Sequence, residues 1–113
     1  MKHFKKINRI AITPIAKQEF ADLLNQVFPK KFKTLQEMHY QGFQSFLVPE
    51  WKEQDKLVDF LKKIAPLVLV HELERWEIPK EKWPPRLTYD LFVNLFNYDI
   101  TYNVFDAIKI EDN

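Results

Sequence analysis

Residues 83–106, WPPRLTYDLFVNLFNYDITYNVFD, decide the fold of this chain. They hold seven aromatic residues and change their hydrophobic period twice. Apolar residues are first spaced as on one side of a helix, and from Ile100 onward they alternate as in a strand with one buried face. The stretch therefore predicts a rigid, proline-rich start, a short helix and a strand that together close a hydrophobic core.

The predicted helix starts at Thr88 and carries Asp90 in its first turn, where the helix dipole favours a negative charge. Asn97 suits the left-handed position that often follows a helix. Four apolar residues share the buried side of this helix: Leu91, Phe92, Leu95 and Phe96.

Asp106 continues the predicted strand on the same side as Ile100, Tyr102 and Val104. A carboxylate carried toward an apolar face must be paired or must lie at its rim. A structural salt bridge or a strand-end position is therefore favoured over a functional site. Three arginines are candidate partners for a bidentate pair: Arg9, Arg75 and Arg86.

The N-terminal part predicts a strand followed by a helix. Residues 7–12 are apolar and β-prone. Thr13 and Pro14 then suit the cap and the first position of a helix, which Pro29 ends. The apolar stripe of this helix comprises Ala16, Phe20, Leu23, Leu24 and Val27.

A β-hairpin is predicted next, with arms at residues 34–40 and 43–48. Gly42, the only glycine, lies at the turn, where a positive φ is required. A helical turn is the alternative for the first arm, because Leu35 and Met38 are three residues apart.

Residues 57–64 predict a second amphipathic helix, which Pro66 interrupts. The segment beyond it has two interpretations. Leu69 and Leu73 are helix-spaced and Pro66 suits a helix start, which favours a helix. The Leu-Val repeat of residues 67–70 is also typical of a buried strand.

The composition limits the class of protein. A chain of 113 residues predicts one domain, 1–113, and 46% hydrophobic residues suffice for one core. The absence of cysteine excludes disulfides and thiolate metal sites. No signal peptide and no membrane span are recognisable, so a cytoplasmic location is expected. The expected fold class is α+β, with a small antiparallel sheet of three or four strands and helices packed mainly on one face.

No group of residues indicates catalysis. His3, His39 and His71 lie far apart, and none belongs to a zinc-binding pattern. Ser45 lies inside a predicted strand instead of at a nucleophile elbow. With one glycine there is no glycine-rich loop to hold phosphates. We therefore expect no enzyme activity, no metal and no cofactor.

The net charge of +1 is unevenly distributed. Residues 1–33 hold eight Lys or Arg and two carboxylates, whereas residues 87–113 hold one Lys and five carboxylates. Such a distribution orients a charged partner. The expected function is thus a small binding or regulatory protein that acts through a protein surface. An immunity or antitoxin-like inhibitor, with its acidic C-terminal region facing a basic toxin, is one version.

Trp51 and Trp83 lie beside prolines in predicted loops, where an indole either plugs the edge of the core or anchors a partner. Plugging is the favoured interpretation. Four residues at loops and edges are candidates for contact with a protein partner: Trp51, Trp83, Arg86 and Asp106.

Nucleic-acid binding is the alternative function. Phe32, Tyr40 or Phe43 would stack on bases beside the lysines. The low net charge and the absence of an RNP1 signature disfavour this alternative. The candidate nucleic-acid contacts are Lys5, Lys6, Lys30, Lys31 and Lys33.

The last two-thirds of the chain resembles a group of small uncharacterised bacterial proteins. The resemblance lies in Leu47-Val48-Pro49, Glu72 to Trp76, Trp83-Pro84, Tyr89 to Phe96 and Val104-Phe105-Asp106. The chain departs from the pattern at Leu95, where the group has a second Trp, and in a Leu-Val pair where the group has acidic residues. The resemblance implies a compact bacterial α+β domain and carries no activity.

Overall fold

The computed structural model describes residues 1–29 and 33–112, which form five strands and four helices. The strands are β1 (Lys2–Lys6), β2 (Arg9–Ala16), β3 (Phe46–Pro49), β4 (Phe96–Thr101) and β5 (Phe105–Asp112). The helices are α1 (Gln18–Val27), α2 (Leu35–Tyr40), α3 (Gln54–Arg75) and α4 (Tyr89–Leu95), with one turn of 3₁₀ helix at Lys80–Lys82. The predicted α+β class is confirmed.

The described strands form two antiparallel sheets, one with the order β3-β2-β4 and one that pairs β1 with β5. Strand β2 is central and pairs with β3 up to Ile12 and with β4 up to Ala16. β1 precedes β2 and β5 follows β4, so the second sheet prolongs the β2–β4 pair. Between the two sheets, the Ile7 N–H donates to the Val104 carbonyl at 2.7 Å. The predicted three-stranded antiparallel sheet is confirmed.

Helix α3 is one helix of 22 residues that runs through Pro66. The predicted interruption at Pro66 is wrong, and the helical interpretation of the segment beyond it is confirmed. Pro66 and Lys62, whose carbonyl loses its helical donor, both lie on the exposed side of α3, where a missing intrahelical hydrogen bond costs less than in the core. Burial of the opposite side outweighs a local cost of about 3 kcal/mol. That side consists of Leu57, Leu61, Ala65, Val68, Leu69, Glu72 and Leu73.

The predicted hairpin at residues 34–48 is wrong, because its first arm is helix α2. Thr34 is the N-cap: its Oγ1 accepts the Glu37 N–H at 3.1 Å and donates to the Glu37 carboxylate at 3.3 Å. This N-cap is visible in the sequence as Thr-x-x-Glu, the pattern that typically starts a helix, and it outweighs the hairpin signal. Gly42 has the predicted positive φ, at 84°, but it follows the end of α2.

The helix start predicted at Thr13 and Pro14 is also wrong. Strand β2 continues to Ala16, and α1 begins at Gln18 with Lys17 as its N-cap. Beyond Ile12, β4 is the one described strand beside β2, so the missing N–H of Pro14 costs no ladder bond on the side where β3 has ended. The predicted buried stripe of α1 is confirmed at Phe20 and Leu24.

The helix and strand predicted in residues 83–106 are confirmed, with two corrections. The Thr88 hydroxyl caps α4 by accepting the Leu91 N–H at 3.1 Å. Asn97 is not a left-handed cap but part of β4, because the chain passes directly from α4 into that strand. β4 ends at Thr101, so Asp106 belongs to β5 and does not continue the Ile100 face.

Helix α3 ends in a Schellman motif. The Ile78 N–H donates to the Leu73 carbonyl at 3.1 Å, and the Glu77 N–H donates to the Glu74 carbonyl at 2.9 Å. Leu73 and Ile78 are both buried, which is the apolar contact of this motif. The motif places Glu77 at a φ of 57°, where a side chain is strained.

We expect Glu77→Gly to raise the free energy of unfolding by about 0.5–1 kcal/mol, because glycine adopts a positive φ without a Cβ penalty. Urea unfolding of wild type and variant measures this difference. Glu77→Ala is the matched control, since it removes the same carboxylate but keeps the Cβ. Equal stability of the glycine and alanine variants would contradict the assignment of strain.

Candidate protein-binding site

The paired strands β1 and β5 form an arm, residues 1–7 and 102–112, that projects from the body. The chain measures 55 × 29 × 20 Å and has a radius of gyration of 16.6 Å. A compact domain of this length has a radius of gyration of about 13 Å. Among the described strands, β1 and β5 pair only with each other. All five residues of β1 are exposed.

One face of the arm carries exposed apolar side chains. Phe4 lies opposite Ile110, and Lys6 lies opposite Phe105. Phe4 and Lys6 are two residues apart on β1, so Phe4, Phe105 and Ile110 share a face of the ribbon. About half of each phenyl side chain is exposed, at 48% for Phe4 and 52% for Phe105. These exposed apolar groups on one surface make this face a candidate interaction surface.

The two arm strands have opposite charge. Lys2 lies opposite Asp112, and Lys5 lies opposite Asp106. The charge asymmetry between the two ends of the sequence is therefore not a separation in space, because the basic and acidic ends are adjacent strands. The acidic C-terminal segment thus lies next to the lysines of β1, and the Asp112 carboxylate is 3.7 Å from the N-terminal amino group of Met1.

Strand β5 is irregular near Asp106. Between the pairs Phe4–Ile110 and Lys5–Asp106, three residues of β5 have no partner on β1. Asp106 Oδ1 accepts the Ile108 N–H at 3.0 Å and so supports this bulge. The described structure shows no ion pair between Asp106 and any of the three candidate arginines. The structural role favoured for Asp106 is thus a backbone hydrogen bond instead of a salt bridge.

The edge of strand β1 that faces away from β5 lies near Glu50, which precedes Trp51. β1 continues the direction of β2, and β5 continues the direction of β4. Because β4 and β3 lie on opposite sides of β2, the edge of β1 that faces away from β5 lies on the side of β3. β3 stops at Pro49, opposite Arg9, and leaves the space alongside β1 empty of described strands. Lys6 Nζ lies 3.7 Å from Glu50 Oε2, which connects the base of the arm to the residue before Trp51.

Trp51 lines a cleft of about 380 Å³ at the base of the arm. Its ring is half-buried and meets the Phe60 ring edge-on, with centroids 4.9 Å apart. Pro49 and the side chains of Lys56, Asp59 and Lys63 form the remaining walls. The cleft is mainly apolar within a charged rim and is large enough for an apolar side chain of a partner.

Comparisons with protein-family models, curated proteins and solved structures find no match for this chain. Within the described ranges, no three potential metal ligands come together, and no helix has the length and apolar character needed to cross a membrane. The geometry and charge of the arm are therefore the main guide to function.

The other candidate contact residues lie apart from this site. Trp83 is half-buried against the larger core, and its Nε1 donates to the Ile78 carbonyl at 2.8 Å. It plugs the core edge, as favoured. Arg86 is exposed and forms no hydrogen bond or ion pair with the described residues.

The described lysines among those considered for nucleic acid are spread over the molecule. Lys6 lies near Glu50, before the start of α3, whereas Lys33 lines a cleft with Arg75 at its end. The 22 residues of α3 separate the two by about 30 Å. Lys30 and Lys31 lie outside the described residues.

Glu72 is a buried carboxylate that sequence reasoning missed. It is 2% exposed and lines a cavity of about 10 Å³ together with His39, Arg75 and Phe96. Burial raises the pKa of the Glu72 carboxyl to about 7, and the Arg75 charge opposes this shift. The feature of the sequence that could have revealed its burial is its position beside Leu73 on the apolar side of α3.

The histidines have separate surroundings. His39 Nε2 lies 2.8 Å from the Ala16 carbonyl, and its ring is 5.5 Å from that of Phe43. His71 packs edge-on against Phe46. Each therefore has a packing role on a different part of the sheet.

Proposed function

We propose that this chain is a small non-enzymatic binding protein that takes up an extended, acidic and apolar segment of a protein partner along the free edge of β1. The observation that carries this proposal is that β5 is the one described strand paired with β1, while β3 ends at Pro49 on the other side of the β2 line. An added strand supplies main-chain hydrogen bonds to such an edge and places alternate side chains on its two faces.

The charge of β1 selects the partner. Lys2, Lys5 and Lys6 oppose pairing of β1 with the β1 of a second copy, because like charges would face each other. The pairing of β1 with β5 indicates which side chains β1 accepts in a neighbouring strand. Asp106 and Asp112 of β5 lie opposite lysines, and Ile110 lies opposite Phe4. A partner strand with alternating apolar and acidic residues would repeat these contacts on the other side of β1.

The Trp51 cleft supplies an anchor at one end of the proposed groove. A partner strand that continues the line of β3 beyond Pro49 would run alongside β1. One end of it would lie at the base of the arm, where Lys6 and Glu50 meet. An apolar side chain in the cleft would contact the Trp51 and Phe60 rings. Such buried aromatic anchors dominate the energetics of protein interfaces.

The test is selection of a random peptide library on the full chain, followed by fluorescence anisotropy on the enriched peptides. We expect these peptides to alternate apolar residues with Asp or Glu and to bind less tightly as salt is added. Trp51→Ala should weaken binding about 30-fold, the effect of removing an anchor worth about 2 kcal/mol. Lys6→Gln should weaken it by a smaller factor.

Tyr40→Ala is the matched control, because Tyr40 is an exposed aromatic residue at the opposite end of the molecule. It should leave peptide binding unchanged. Enriched peptides without acidic residues, or equal losses in the Tyr40 and Trp51 variants, would refute the proposal. Retention on single-stranded DNA with no acidic peptide enriched would support the nucleic-acid alternative instead.

A further inference from the structure

A second cleft, separate from the arm, lies at the C-terminal end of α3. Its volume is about 350 Å³, which is within the range of cavities that hold small ligands. Apolar and polar groups alternate around it. The lining consists of Leu24, Phe28, Lys33, Gln41, Arg75, Trp76 and Glu77.

Arg75 is held in position inside this cleft. Its Nη2 donates to the Gly42 carbonyl at 2.6 Å and to the Gln41 carbonyl at 3.2 Å. Its guanidinium carbon lies 5.1 Å from the centre of the Trp76 ring. A guanidinium has five N–H donors, so those on Nε and Nη1 have no acceptor among the described residues. They are available for charge-assisted hydrogen bonds to a ligand, and little side-chain freedom would be lost on binding.

The remaining lining complements Arg75. Among the described residues of the lining, Lys33 adds a second positive charge and Glu77 a negative one, so these three side chains together carry a net charge of +1. Leu24, Phe28 and Trp76 offer apolar walls. A ligand that matches both the charged groups and the apolar walls of the cleft has one negative head group and an apolar body.

We propose that this cleft binds a small monocarboxylate with an apolar body, whose carboxylate contacts Arg75 and whose body packs between Trp76 and the α1 side chains. The site is independent of the arm, because it lies at the other end of α3. Failure of this proposal would leave the proposed protein-binding function unaffected.

The test uses 3-phenylpropionate as the probe, titrated into the full chain while the indole N–H signal of Trp76 is followed by NMR. We expect saturable shifts of this signal with a dissociation constant of about 1 mM or tighter. The neutral amide of the same acid should bind at least tenfold more weakly, since it lacks the charge that Arg75 recognises. Inorganic phosphate, which lacks the apolar body, should bind more weakly as well.

Two variants with opposite charge changes test whether the charge of the cleft determines ligand binding. Lys33→Gln removes a positive charge and should weaken binding about threefold, whereas Glu77→Gln removes the negative charge and should strengthen it by a similar factor. Both residues are at the surface, so neither change depends on refolding of the core. No shift at Trp76, equal binding of acid and amide, or parallel changes in the two variants would overturn the proposal.

Discussion

At about pH 8, the Glu72→Gln variant is expected to have a free energy of unfolding about 3 kcal/mol larger than that of the wild type. Glu72 is 2% exposed and lies within the apolar side of α3. Ionisation of a carboxyl in such surroundings is costly, and Arg75 offsets the cost only in part. Glutamine has nearly the same shape and carries no charge, so the variant avoids this cost.

The sign of the pH dependence follows from the direction of the shift. The pKa of the Glu72 carboxyl rises from 4.5 to about 7 on folding, so the folded protein holds more protons than the unfolded chain between these values. The free energy of unfolding therefore decreases as the pH rises through this window. The stabilisation from the protonated carboxyl is fully present below 4.5 and is lost above about 7.

Urea unfolding of wild type and variant across this pH range measures the effect. The difference between the two proteins should be small at the acidic end and should grow to its full value near pH 8. Glu74→Gln is the matched control, because Glu74 is an exposed carboxylate two residues away on the same helix. If Glu72→Gln and Glu74→Gln show the same pH profile, the assignment of a neutral buried carboxyl is wrong.

The Phe92→Ala variant is expected to lose about 3–5 kcal/mol of stability, the usual cost of truncating a buried phenyl group. Phe92 is 2% exposed. Its ring is stacked on Phe96 with centroids 5.7 Å apart and on Tyr98 at 6.0 Å. Tyr98 also packs against the second core cluster, so the cavity would weaken contacts on both sides of α4.

Phe105→Ala is the control for Phe92→Ala, since it removes the same group from the arm. About half of the Phe105 side chain is exposed, and the expected loss is below about 1 kcal/mol. Both variants can be compared by urea unfolding at one pH. A loss for Phe92→Ala as small as that for Phe105→Ala would show that the aromatic cluster does not hold the fold together.

Sequence patterns that span a few residues predicted the helices whose ends and buried sides depend on neighbouring residues. The helix after Thr88 and the apolar stripe of α1 were found because their capping and spacing lie within a few residues. Pro14 and Pro66 misled the interpretation for a common reason. Proline is a strong local breaker, but in this chain each lies where the surrounding packing tolerates the missing N–H, and no local pattern reveals that.

The arm was the least predictable part of the candidate site. β1 has the sequence KHFKK, which lacks the apolar alternation of a half-buried strand, and it becomes a strand because β5 pairs with it. Trp51 was found from its position beside Pro49, but its relation to the arm depends on the sheet topology. Arg75 was considered only as a possible partner of Asp106, and the cavity that it shares with Glu72 is a tertiary feature that no local pattern reveals.

Helix α3 runs without interruption through Pro66 and contributes side chains to both hydrophobic cores. Leu57 and Leu61, before Pro66, belong to the core that contains Ile10 and Val48. The buried residues after Pro66 belong to the other core, built around α1 and α4. Cooperative units follow packed clusters instead of secondary-structure elements. Ala65, one residue before Pro66, already belongs to that other core, and Ile64 packs against both. The two clusters therefore meet on α3 between Leu61 and Ala65, so a single continuous helix contributes to both cores.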